Sequence, residues 1–212
     1  MKPNGFYAPL GAILGVTMPL WMALPVAGYL LEIALAITLI MAAIEGRLWL
    51  VLGAAVVGLA LAALPAIGPA PMVLFLPMWL KAVIGPVALG LLMRAGRVAL
   101  VSYLGGAVVT AAAVLLFYWQ GAEVLNEMMN GVGKSLTTML DANMKTQGYN
   151  AETVTDVLDK VTGGIALVKR LLPGIMILSG LGQLFIGFAV VDLYYTRRDR
   201  YFPGFGPFAY WK

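Results

Sequence analysis

The sequence predicts an all-α integral membrane protein. Six transmembrane helices, both termini on the cytoplasmic side and an amphipathic helical hairpin outside the cytoplasm between helices 5 and 6 make up the expected fold. Three observations predict it. Hydrophobic residues make up 61% of the 212 positions and charged residues only 11%, with a mean hydropathy of +0.90, which is the composition of a polytopic membrane protein rather than a soluble domain. Apolar runs of about 20 residues, the length that carries a helix across roughly 30 Å of hydrocarbon, recur along the chain. Arginine and lysine gather on one side of the resulting helices.

The spans are expected at 6–24, 26–44, 48–64, 72–93, 98–119 and 172–195. Helices are the element of choice because they satisfy their own backbone hydrogen bonds where water is absent. The first 39 apolar positions, 6–44, are too long for one crossing. Pro19 and Pro25 remove helical hydrogen bonds where a turn is wanted, and the split is placed at Pro25. A cleavable leader would show a short apolar core and a small-residue cleavage site, whereas here the first apolar run flows straight into a second, so the N-terminus is expected to be retained.

Lys2, Arg47, Arg94, Arg97, Arg197, Arg198, Arg200 and Lys212 fall on one side of the six-span arrangement, and the short loops around Pro25 and at 65–71 carry none. This asymmetry assigns both termini to the cytoplasmic side of the membrane. It also accounts for the net charge of +4 and the pI near 9.4 without invoking nucleic acid. Arg197, Arg198 and Arg200 are expected at anionic lipid headgroups. Cysteine and histidine are both absent, which removes disulfides, thiolate chemistry, imidazole metal ligands and histidine acid-base catalysis. No nucleophile or acid-base constellation is visible, so neither an enzyme nor a bound cofactor or metal is expected.

The sizeable polar segment is 120–170. Leu125, Met128, Val132, Leu136, Met139 and Leu140 recur at helical spacing, as do Val154, Val157, Leu158, Val161, Ile165 and Val168 after the capping residue Asn150. Two readings stand: the stripes pack on each other as extensions of the fifth and sixth spans, or the hairpin is a lid or docking arm on which Met128, Met139 and Leu140 supply an adaptable contact. Gly131, Gly133, Lys134 and Ser135 imitate the end of a phosphate-binding loop. The first glycine of that pattern would fall at Met128 and no strand precedes it, so Lys134 reads as the solvated face of a helix.

Within the spans, Glu32 and Lys81 are the charges farthest from a membrane end. An ionisable group in hydrocarbon costs at least about 2.5 kcal/mol and marks a ligand site, an ion path or a buried pair. Counted from the outer ends of their spans at 1.5 Å per residue, they lie about 9 and about 13 Å deep. Nearly matched depths allow an ion pair; they equally allow a polar pocket open to the outside and walled by Thr17, Trp21, Tyr29 and Trp79, unless those aromatics are interfacial anchors. Pro77 and Pro86 bracket Lys81, predicting a kink and freed carbonyls. Gly11 with Gly15, Ala54 with Gly58 and Ala62, and Gly180 with Gly187 predict close helix packing.

The run Leu171-Leu172-Pro173-Gly174-Ile175, the apolar helix to Asp192-Leu193-Tyr194, the Arg197-Arg198 pair, Pro207-Phe208 and Trp211 resemble the bacterial YybS-like membrane proteins, a domain family of unknown function. Pro86 to Gly96, with Arg94 after an apolar helix, fits as well. The resemblance covers roughly residues 72–211. It implies a polytopic inner-membrane protein similar in fold group to the substrate-binding S components of energy-coupling-factor transporters and to the rod-shape protein MreD. It also implies further apolar helices beyond Phe208-x-x-Trp211, where this chain ends. Two functions follow: a small-molecule-binding subunit that hands its ligand to a partner motor subunit, or a non-transporting scaffold that docks partner proteins in the bilayer or assembles with itself.

Overall fold

The computed structural model describes residues 7–21, 24–64 and 72–197. The described residues form seven helices and no strands: α1 Tyr7–Val16, α2 Met18–Trp21, α3 Pro25–Ile44, α4 Leu48–Ala62, α5 Met72–Arg94, α6 Ala99–Thr146 and α7 Ala151–Thr196. Four of them, α3, α5, α6 and α7, are long and apolar enough to cross a membrane, whereas α1 and α4 are apolar but shorter.

The first expected span is interrupted. Pro19 has no N–H to donate, and the helix breaks at Thr17 into α1 and α2. The Trp21 indole N–H partly repairs the break by donating to the Leu14 carbonyl at 3.2 Å. Pro77 and Pro86, by contrast, lie inside a continuous α5. The polar segment begins and ends within helices: α6 continues for 48 residues and α7 for 46. At 1.5 Å per residue each runs about 70 Å along its path, more than twice the hydrocarbon thickness. The helices of 120–170 are thus continuous with those that carry the fifth and sixth apolar runs, which leaves a docking role for the hairpin open.

Three helices end the same way. Gly46, Gly96 and Gly148 have φ of 77°, 73° and 80°, where side chains are strained. At the first of them, Arg47 N–H donates to Ala42 O at 2.7 Å and Gly46 N–H to Ala43 O at 3.3 Å, the paired closure that satisfies terminal carbonyls. Asn150 caps α7 through its side-chain oxygen, which accepts from Thr153 N–H at 2.8 Å.

The chain divides into two compact units: Met1–Leu115 with Met176–Lys212, and Leu116–Ile175. The first unit is a helical bundle centred on α3, which packs on α5, α1 and α4. Leu35, Ala36, Leu39, Ile40, Ala42 and Ala43 of α3 are wholly buried. Large apolar side chains face outward in the same unit, including Ile13, Leu30, Val108 and Trp49, the last 81% exposed. Such a surface is tolerable against lipid and costly against water. α1 and α4 approach at their glycines: a Cβ on Gly15 would stand 2.8 Å from Ala55 N, and one on Gly58 would collide with Gly15 O. Gly187 likewise lies against Ile40, as the small-residue spacing predicts.

The second unit is the helical hairpin. Its most buried side chains are Leu125 and Val154. Gly133 faces Ile165, whose Cδ1 would stand 3.3 Å from a Cβ at 133. Val132, Leu136, Met139 and Val168, which the apolar stripes place on the seam, are exposed.

Candidate functional site

α3 carries Glu32 in its buried stripe, one turn before Leu35 and Ala36, and α5 carries Lys81 beside Ala82 and Val83. Lys81 Nζ stands 2.9 Å from Glu32 Oε2, with side chains 7% and 5% exposed. Two residues of α7, one turn apart, complete the cluster. Ser179 Oγ accepts from Lys81 Nζ at 3.0 Å, and Gln183 Nε2 donates to the Glu32 backbone carbonyl at 3.2 Å. Glu32 is thus held at both its carboxylate and its main chain.

Small residues make the room. A Cβ on Gly180 would stand 2.9 Å from Thr110 Cγ2 and 3.3 Å from Lys81 Cγ, so the lysine stem lies against bare backbone. Gly85, one turn after Lys81, gives way to the Thr110 hydroxyl, which donates to Gly106 O. The cluster is also short of donors. Glu32 Oε2 meets the Lys81 ammonium at 2.9 Å, whereas Gln183 Oε1 is fully buried and has no hydrogen-bond donor among the described residues. A buried acceptor without a donor costs about 1–3 kcal/mol, so the site is primed for one.

Of the residues expected to wall a pocket, Tyr29 stands nearest this cluster. It lies one turn before Glu32, with its hydroxyl 3.4 Å from where a Gly182 Cβ would be. Trp79 and Lys81 are two residues apart, about 200° around α5, and so point to opposite sides. The Trp79 indole donates to Ala55 O of α4 at 2.9 Å. Thr17 and Trp21 bond to each other at 3.2 Å and to α1 carbonyls. Met139 of the hairpin is 72% exposed, with Met128 and Leu140 half-buried. Arg197 is exposed in the turn after α7; Arg198 and Arg200 lie outside the described residues, as do Lys2, Lys212 and the loop at 65–71.

Sequence reasoning missed Ser179, Gln183 and Thr110, because uncharged polar groups do not stand out in an apolar run. The i, i+4 spacing of Ser179 and Gln183 was the available signal. It also missed a second cluster, in which the Glu45 carboxylate accepts from Tyr7 through one oxygen and from Tyr195 at 3.0 Å through the other.

A model of a family described as predicted membrane protein (DUF2232) matches residues 10–212 of this chain. The chain belongs to that family. The match agrees with the YybS-like resemblance and extends it towards the N-terminus. No curated protein and no solved structure matches. For this DUF2232 protein the outward apolar side chains and the inward charges are what a lipid solvent demands: polar groups are cheaper inside the bundle, where they meet partners, than on its face.

Proposed function

We propose that the protein is a multi-pass bacterial cytoplasmic-membrane protein that binds a small, donor-bearing molecule within its bundle, as the binding subunit of a transport system. α1 with α2, α3, α4, α5 and the apolar portions of α6 and α7 give the six crossings. Both termini and the Arg47, Arg94 and Arg97 turns face the cytoplasm, and the hairpin lies on the opposite side. The observation that supports binding is a buried acceptor without a donor among the described residues, Gln183 Oε1, in a cluster with the Glu32–Lys81 pair and Ser179 that draws on three helices. An amine or hydroxyl compound would supply the donor that Gln183 Oε1 lacks. Mass spectrometry of compounds released from gently purified protein tests this. A compound retained by wild type and lost from Glu32→Gln and Lys81→Ala supports the site; equal retention by all three removes it.

A scaffold is the second reading, favoured by the exposed apolar row Val124, Val132, Leu136 and Met139 on the hairpin. Polar substitution of Met128, Met139 and Leu140 would then lose co-purifying membrane partners while leaving the bundle folded.

A further inference from the structure

The hairpin carries a second polar site that the bundle chemistry does not use. Between α6 and α7 lies a cleft of about 310 Å³ that both Lys134 and Lys169 line. The other lysines of the hairpin are neutralised within their own helices, Lys145 by Asp141 at 2.8 Å and Lys160 by Asp156 at 2.7 Å. The two cleft lysines have no carboxylate partner among the described residues, and none of the residues lining the cleft is acidic. Lys169 donates to the Asn130 side-chain oxygen, which leaves the Asn130 amide nitrogen as a donor. Thr137 and Thr162 spend their hydroxyl hydrogens on carbonyls of their own helices. The free hydrogen-bonding capacity of the cleft is therefore dominated by cationic and amide donors.

Two facing cations without a counter-charge repel each other, and an anion between them turns that repulsion into attraction. A phosphate monoester carries about −1.5 to −2 charges near neutral pH, which balances two lysines where a carboxylate balances one. Lys169 and Met129 also line an adjoining hollow of about 160 Å³, whose walls include Leu125 and Leu172. This hollow is mainly apolar and suits the body of a ligand whose head lies at the lysines. The Gly131, Gly133, Lys134 run lies inside α6, where its amides are committed to the helix, so recognition would come from side chains rather than from a backbone cradle.

We propose that this cleft binds a phosphate monoester bearing an apolar body, through Lys134, Lys169 and Asn130. The test uses the full-length protein in nanodiscs of neutral phosphatidylcholine, titrated calorimetrically with phenyl phosphate. A parallel sample containing phosphatidic acid is analysed by native mass spectrometry for retained lipid. Saturable phenyl phosphate binding that falls about tenfold or more in Lys134→Gln and in Lys169→Gln supports a soluble ester. Retention of phosphatidic acid with the same lysine dependence, without phenyl phosphate binding, supports a lipid headgroup. Lys145→Gln, whose ion pair lies outside the cleft, leaves either signal unchanged, and circular dichroism checks that each variant keeps its helix content. Absence of saturable binding in both arms, or binding that Lys134→Gln and Lys169→Gln leave intact, overturns the proposal.

Discussion

The Lys81–Glu32 pair of the bundle and the Lys145–Asp141 pair of the hairpin have nearly the same separation, 2.9 and 2.8 Å, yet they are different physical objects. The first lies with side chains under a tenth exposed, tied to Ser179 and Gln183; the lysine of the second is 67% exposed and answers only to the helix that carries it. Glycines divide in the same way. Gly15 and Gly58 lie where another backbone passes, while Gly131, Gly163 and Gly164 in the hairpin have nothing within 4 Å of an added Cβ. Distance alone therefore says little about consequence. Burial and the lack of alternatives decide how much each contact matters.

Five single substitutions and one double variant can break or sharpen that contrast. Lys81→Met should be the most damaging, because it leaves Glu32 buried without a counter-charge, a loss of about 3–5 kcal/mol. The double variant Glu32→Leu with Lys81→Met should recover most of it, and thermal aggregation in detergent would read both. Failure of the double to recover would mean that Ser179 and Gln183, not the charges, set the cost. Gly58→Ala comes next. Its Cβ meets the Gly15 carbonyl, which cannot swing aside as a flexible side chain does, so α1 and α4 must separate at a cost of about 1–3 kcal/mol.

Asn150→Ala removes the cap of α7 and should cost about 1 kcal/mol, read as faster amide exchange over the following turn. Gly163→Ala should move the other way by a similar or smaller amount, since an exposed helical glycine yields about 1 kcal/mol on replacement by alanine. Smallest of all, Lys145→Gln should change stability by about 0.5 kcal/mol or less, and less still in high salt.

The helical class, the apolar α3 and α5 helices, the Asn150 cap and the matched depths that allow Glu32 to meet Lys81 were legible because each rests on something local: run length, a capping side chain, or depth counted along a helix. The break at Thr17 was only half legible. Pro19 announces a lost hydrogen bond, but the Trp21 indole that repairs it depends on a rotamer. The hairpin seam was legible in part: Leu125 and Val154 are buried and Met128, Leu140, Val157, Leu158, Val161 and Ile165 half-buried, while Val132, Leu136, Met139 and Val168 are exposed. Val132 and Gly133 are neighbours on the helix surface, and hydropathy favours the valine. The glycine nevertheless faces Ile165, because its missing side chain lets the helices close, and Val132 is left outside. Trp79 was assigned to the Lys81 neighbourhood by depth, and a rotation of about 200° between the two residues carries it to α4 instead.

The Glu45 carboxylate, shared by Tyr7 and Tyr195, has a bearing on the order of biosynthesis. One donor belongs to α1 and the other to α7, which is made much later. Until α7 has been made, the carboxylate at the end of α3 lacks one of its two phenol partners, and the early helices must wait in the bilayer with that corner unfinished. The final turn of α7 thus acts as a latch on α1, closing through one carboxylate a contact between two stretches far apart in the chain.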